Sequence, residues 1–240
     1  LNAEGTTTVI EPHASRDHTE RMGAAFGAAI TSDDLPGGAR RVSVAGAARL
    51  QGQRVHVPAD PSSAAFAASA VLIAGRGEVL LEDVGLNPLR FGFFDVLKSM
   101  GAGVRILDET TAAGEGFGLI QVRHEGGLKG ATPPASAVAA MIDEVPILAA
   151  LAAFADGVTV ISGAEELRVK ESDRLALMAA GLRACGVNVE ERPDGLVIEG
   201  RGQGGVRGGA EIVTHGDHRI AMSFLVLGLG AQAPVMVTDK

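Results

Sequence analysis

The sequence predicts an α+β protein assembled from a repeated unit of strand, helix, strand, helix, strand, strand, its sheets covered by helices. Two observations carry this reading. A β-branched run follows a small or turn-forming residue at GTTTVIE (5–11), GEVLLED (77–83), GVTVISG (157–163) and APVMVTD (233–239), at nearly even intervals. Each of the first three runs is followed, after an irregular stretch, by a helical pattern that ends on a glycine: Gly27, Gly101 and Gly186.

Taken in order, the helical patterns are RDHTERMGAAFGA (16–28), RFGFFDVLKSMGA (90–102) and ESDRLALMAAGLRACG (171–186). The last two lead into paired strand-like runs separated by turn formers, GVRILD (103–108) with LIQVRHE (119–125), and VNVEER (187–192) with GLVIEG (195–200). A second, more apolar helix type precedes the β-branched runs: AAFAASAVLIAG (64–75), EVPILAALAAFA (144–155) and IAMSFLVLGLG (220–230). One unit is therefore present from its second half (1 to 50), two are complete (54–125 and 130–200), and a last one stops after Lys240. RGQGGVRGG (201–209) matches no phosphate-loop or dinucleotide fingerprint and reads as a flexible turn.

Composition narrows the function. The chain is 46% hydrophobic, enough for a sizeable core, and its 33 glycines with no Trp or Tyr predict many turns around small aliphatic side chains. A net charge of −8 without a dense Lys/Arg cluster argues against nucleic acid, so basic residues should act singly in a site. The one cysteine, Cys185, excludes an internal disulfide and argues against a cysteine-built metal site. No apolar run approaches the roughly 18 residues that a membrane span needs, and the expectation is a soluble, cytoplasmic protein.

Four stretches could carry chemistry, and each has an ordinary structural reading beside it. In ELRVKESDRLALM (166–178), Glu171 and Asp173 suit a helix N-terminus, whereas Lys170 and Arg174 stand at the wrong end of the dipole. Read as one helix, residues four apart place Lys170 and Arg174 on one face with Glu171 beside them, which a bound carboxylate or phosphate would reconcile. An exposed ion-pair turn is the alternative. In VTHGDHRIAMSF (213–224), Asp217 can cap a helix, while His218 and Arg219 sit against a wholly apolar segment; His215 and His218 lack further ligands for a metal. In AAMIDEVPILAAL (139–151), Asp143 and Glu144 with Pro146 are standard helix-start chemistry, or Asp143 is a base. In HVPADPSSAAF (56–66), Asp60 or Ser62 should cap the next helix.

With these residues on the page, LRVKESDRLALM, MIDEVPILA, THGDHRIAMSFLVLGL, VPADPSSAAF and TTTVIEPHASRDHTERM resemble, in order and across the whole chain, the blocks of the 5-enolpyruvylshikimate-3-phosphate (EPSP) synthase family, and within it the glyphosate-tolerant bacterial class. The resemblance implies the enolpyruvyl transferase fold, an inside-out α/β barrel of βαβαββ units with buried helices, in two domains. Residues 1–56 would finish the first domain and 57–240 would form most of the second, a fragment of little over half the family's length. The implied reaction moves the enolpyruvyl group of phosphoenolpyruvate to the 5-hydroxyl of shikimate 3-phosphate, releasing phosphate, with no metal or organic cofactor. The implied roles make Asp143 the base and Glu171 the carrier of the methylene proton. Arg16, Asp143 and Lys170 would contact shikimate 3-phosphate, Arg174 and Arg219 would hold phosphoenolpyruvate, and His218 would lend support. Glyphosate would be an inhibitor candidate and the parent enzyme a monomer. Glu166 stands where many members carry an Asn, and the family's N-terminal Lys-Ser-x-x-x-Arg phosphate site lies outside this sequence, so the chain alone is expected to be inactive. The alternatives are a relative acting on a UDP-linked amino sugar (UDP-N-acetylglucosamine enolpyruvyl transferase) and a non-catalytic repeat module.

Overall fold

Every β-branched run becomes a strand, and the same local topology follows the first three, in the computed structural model, which describes residues 1–12 and 14–239. β1 (Thr6–Glu11) leads into α1 (His18–Ala25) and the hairpin β2 (Ile30–Asp34) and β3 (Arg40–Ala45). Next come α2 (Pro61–Ala74), β4 (Glu78–Gly85), α3 (Gly92–Ser99) and the hairpin β5 (Gly103–Ala112) and β6 (Glu115–Arg123). A short α4 (Ala135–Ala140) and α5 (Val145–Ala152) precede β7 (Val158–Ile161), α6 (Arg174–Ala184), β8 (Asn188–Arg192) and β9 (Gly195–Glu199). The described chain ends with β10 (Glu211–Val213), α7 (His218–Leu227) and β11 (Met236–Thr238).

Three antiparallel sheets share one strand order, β1-β3-β2, β4-β6-β5 and β7-β9-β8, so the last strand of each unit always lies in the middle. The opening strand of each unit is thinner than the sequence suggests. It is reduced to parallel bridges, Ala59 with Val84 and Lys129 with Asp156, and reaches strand length only where β10 pairs with β11. Proline explains the thinning. Pro58 and Pro61 flank the first bridge, and Pro133 and Pro134 follow the second, removing donors that a longer ladder would need.

The hairpin after α1 escapes the sequence reading because ITSDD offers one apolar residue, and four of its five positions are exposed. Its backbone ladder with β3 defines it instead, in a register that sets acids opposite bases, Asp33 with Arg41 and Asp34 with Arg40. The β5–β6 hairpin runs longer than its apolar runs, up to a two-residue turn in which Ala113 and Gly114 both have positive φ, 50° and 82°. The glycine-rich segment 201–209 is also not the flexible turn that its composition suggests. Arg201 N–H donates to the Ala153 carbonyl (2.8 Å), Gly202 to Ala155 (3.2 Å) and Arg207 to Cys185 (3.1 Å), while the Gln203 amide reaches the Ile73 carbonyl (2.6 Å). Its glycines permit close approach: a Cβ on Gly205 would lie 2.0 Å from the Arg201 carbonyl oxygen.

At the centre, α2, α5 and α7 pack against one another, and all eight residues of α5 are buried. A helix that is apolar all round must be covered on every side, which is why this one sits innermost. Small residues let the helices close up. A Cβ on Gly181 of α6 would lie 2.2 Å from Cζ of Phe224 on α7, a ring that is itself fully buried. Among the described residues no helix is long and apolar enough to cross a membrane. Gly181→Ala should therefore force apart a packed helix pair and cost about 1–3 kcal/mol in equilibrium urea denaturation; unchanged stability would mean that the α6–α7 contact is loose.

Candidate functional site

The N-terminal ends of α2, α5, α6 and α7 come together, and the charged residues singled out by sequence gather around them. Asp217 is the N-cap of α7. Its Oδ1 accepts from the Arg219 backbone N–H (2.9 Å), and its Oδ2 accepts from Arg174 Nε (2.8 Å) and the Ser172 hydroxyl (2.8 Å). Arg174 is the first residue of α6 and is 1% exposed; Asp217 is 0% exposed. Arg174 also donates to Glu171 and lies 3.5 Å from Asp143 Oδ1.

Asp143 is held from several sides. Arg16 contacts its Oδ2 at 2.6 Å, and Arg219 Nη1 donates to its backbone carbonyl at 3.1 Å. Burial opposes ionisation of Asp143, but the Arg16 hydrogen bond and the charges of Arg219, Arg16 and Lys170 outweigh it and hold the carboxyl below its usual range. Asp217 behaves alike: burial raises its pKa, Arg174 and Ser172 lower it more, and the net direction is down. Arg16 reaches Asp143 because the loop before α1 is pinned to the second sheet. Asp17 is buried there, accepting from Asn87 Nδ2 (2.7 Å) and pairing with Arg21 (2.9 Å), while His18 meets Glu115 at 2.7 Å.

One sequence expectation needs correction. Lys170 does not share a helical face with Arg174: Asp173 caps α6 through Ala176 N–H, so Lys170 and Glu171 lie before the helix, Lys170 closing the 3₁₀ turn Glu165–Val169. The dipole conflict is correspondingly smaller. Lys170 pairs with Glu166, and its charge still reaches Asp143. Arg174, the remaining cation, is stabilised by three acids rather than by solvent. His218 is exposed and makes no hydrogen bond to the cluster among the described residues; with Asp217, Thr214, Gly216, Ala221 and Thr238 it lines a shallow cleft of about 280 Å³.

Sequence reasoning also passed over partners. Asp217 was read only as a cap, yet one oxygen caps and the other anchors Arg174. Glu144, read as helix-start chemistry, is 2% exposed and accepts from Ser62. The signal available for Glu144 was its position, an acid immediately before the fully apolar VPILAALA. Among the described residues no group of three or more His, Cys, Asp or Glu side chains is arranged to hold a metal ion.

The model of the family described as EPSP synthase (3-phosphoshikimate 1-carboxyvinyltransferase) matches residues 1–240. The chain belongs to the EPSP synthase family. It is 50% identical over 240 residues to the 3-phosphoshikimate 1-carboxyvinyltransferase of Chelativorans sp. (strain BNC1), covering all of this chain and 53% of that protein. Against the enzyme of that name from Caulobacter vibrioides (strain NA1000 / CB15N) it is 52% identical over 242 residues, covering 54% of the relative. A solved EPSP synthase from Acinetobacter baumannii superposes with a TM-score of 0.89 at 42% identity, over 99% of this chain and 53% of that one. The chain thus spans about half the length of the curated relatives it matches, and the mixed α+β architecture of small repeated sheets is that of EPSP synthase.

Because Asn preserves a capping oxygen, Asp217→Asn should remove one charged partner of Arg174 while sparing much of the cap; with Glu171 and Asp143 still facing the guanidinium, a stability loss of about 1.5–3 kcal/mol is expected. A loss under about 1 kcal/mol in urea denaturation would contradict a buried pair. Acid should act in the same direction. Asp143 and Asp217 have depressed pKa values in the folded chain, so the unfolded state binds their protons first. Their stabilisation is complete above about pH 5 and is lost as pH falls below about 4, measurable as a falling unfolding midpoint.

Proposed function

We propose that this chain supplies part of the active site of a 3-phosphoshikimate 1-carboxyvinyltransferase, with phosphoenolpyruvate and shikimate 3-phosphate as substrates. The observation that carries the reading is the placement of Asp143: its carboxylate lies 2.6 Å from Arg16 and 3.5 Å from Arg174, and its carbonyl 3.1 Å from Arg219, at converging helix N-termini. Membership of the family supplies the chemistry. Two strongly anionic substrates need fixed cations and positive helix ends, and a transferring group needs a base and an acid within reach.

In the proposed reaction Asp143 takes the proton of the 5-hydroxyl as that oxygen bonds to C2 of phosphoenolpyruvate. Glu171 delivers a proton to the methylene carbon, giving a tetrahedral intermediate. Loss of phosphate with removal of a methyl proton then restores the double bond. Arg174 and Arg219 hold the phosphoenolpyruvate carboxylate, Lys170 meets the sugar side of the acceptor, and Arg16 receives the phosphate of shikimate 3-phosphate. His218, exposed and without a hydrogen bond to the ion cluster among the described residues, has the weakest support. Residues 1–56 would complete one domain and 57–240 most of the other. Assignment to the glyphosate-tolerant class, glyphosate as an inhibitor, a monomeric parent and a cytoplasmic location belong to the same proposal and rest on the sequence blocks alone.

In the full-length protein that carries this chain, Asp143→Asn should lower turnover at least about 100-fold and change the thermal midpoint little. Near-normal phosphate release in that variant would rule out Asp143 as the base and favour a binding module. The 240-residue chain by itself is expected to release no phosphate, because about half of the relatives' length, with its share of the site, is absent from it; activity of the purified chain would overturn the division of the site between two halves.

A further inference from the structure

We propose that Glu144 is a positioning residue: it fixes the guanidinium of Arg219 through a buried hydrogen-bond chain running from Arg90 and Ser62. The inference rests on the reading of Arg219 as a holder of phosphoenolpyruvate.

Glu144 is 2% exposed, a position at which an acid needs a reason. The Ser62 hydroxyl contacts Glu144 Oε1, and Arg90 Nη2 contacts the same hydroxyl at 2.9 Å and Asp60 Oδ1 at 2.8 Å. A guanidinium can only donate, so Ser62 accepts from Arg90 and its single proton is left for Glu144. The direction of the chain is therefore fixed. Oε1 of Glu144 lies 4.0 Å from Arg219 Nη1, the nitrogen that donates to the Asp143 carbonyl. Among the described residues Oε2 has no hydrogen-bond partner.

Four elements meet in this chain: the start of α2, the 3₁₀ turn Pro88–Arg90, the 3₁₀ turn Ile142–Glu144, and the start of α7. Burial pushes Glu144 above its ordinary carboxyl range, and neighbouring Asp143 adds to that; Ser62, Arg90 and Arg219 pull the other way without prevailing. The geometry carries the role: Oε1 is gripped by Ser62 and faces Arg219 Nη1 at 4.0 Å, so the carboxyl braces the guanidinium from the buried side. Asp143 and Glu144 thus divide the work, one facing the reaction and its neighbour in sequence facing the scaffold.

The test uses the full-length protein, with steady-state kinetics for both substrates. Glu144→Gln keeps the size and the acceptor for Ser62 but removes the negative charge beside Arg219. Ser62→Ala keeps the charge but releases its hold, and guards against one variant failing to fold. Both should raise the KM for phosphoenolpyruvate about tenfold, the equivalent of one modest charge interaction, with the KM for shikimate 3-phosphate moving less than twofold. Equal shifts in both KM values, or an unchanged KM for phosphoenolpyruvate in either variant, would overturn the proposal and leave Glu144 a packing residue. If the unmodified protein turns over both substrates while the variants match it, only this inference fails. Absence of turnover in the unmodified protein removes the reading of function, and this inference with it.

Discussion

The buried pair of Arg174 and Asp217 is the contact on which the site depends. Taking a guanidinium and a carboxylate out of water is costly, and their attraction repays the cost only when each remaining hydrogen-bonding position is used. Here that condition is met by division of labour. One oxygen of Asp217 closes the exposed N–H groups of α7, and the other meets Arg174 and Ser172. The pair therefore sets α6 and α7 in register at their N-terminal ends. With Nε committed to Asp217, the two outer nitrogens of Arg174 are left to face Glu171 and Asp143.

Repetition explains why so many helix starts meet. In each unit a parallel crossover carries an apolar helix between two strands, and three such helices, α2, α5 and α7, pack mutually at the centre. Equivalent elements related by a repeat present equivalent ends, so their N-termini gather on one side. Each start also carries its own acid: Asp60 and Asp217 cap α2 and α7, while Glu144 lies beneath α5. The positive helix ends and four cations are thus balanced mostly by carboxylates of the protein itself. An arriving anion would compete with these acids rather than meet bare charge.

The sequence made the architecture legible because both periodicities were strong. β-branched runs and glycine-terminated helices repeat, and Gly27, Gly101 and Gly186 do take positive φ, 92°, 93° and 86°. It was silent where structure rests on strand pairing rather than on apolar pattern, as in β2, whose ladder sets Asp33 and Asp34 opposite Arg41 and Arg40. For the site, residue types were legible but alliances were not. The cluster around Arg174 could be read as anomalous, yet its chief partner, Asp217, lies 43 positions away. Nothing in either local stretch says that the two approach. Lys170 illustrates the opposite error, a helical spacing assumed across a cap, since Asp173 interrupts the backbone just before α6 begins.

The contact between Arg16 and Asp143 raises a chemical tension that the proposed reaction resolves. A carboxylate held below its usual range by Arg16, Arg219 and Lys170 is dependably ionised, yet the same cations make it a weak base. Arg16 is the exposed partner and belongs to the loop after β1, whereas Arg174 and Arg219 are fixed by buried acids and carbonyls. In the proposed reaction the phosphate of the acceptor is the stronger ligand for Arg16. When it takes Arg16, Asp143 loses the one side-chain hydrogen bond that a cation gives it among the described residues, and its basicity would rise. The base would then be restrained while the acceptor is absent and strengthened on its arrival, so that Arg16 both binds the phosphate and controls Asp143.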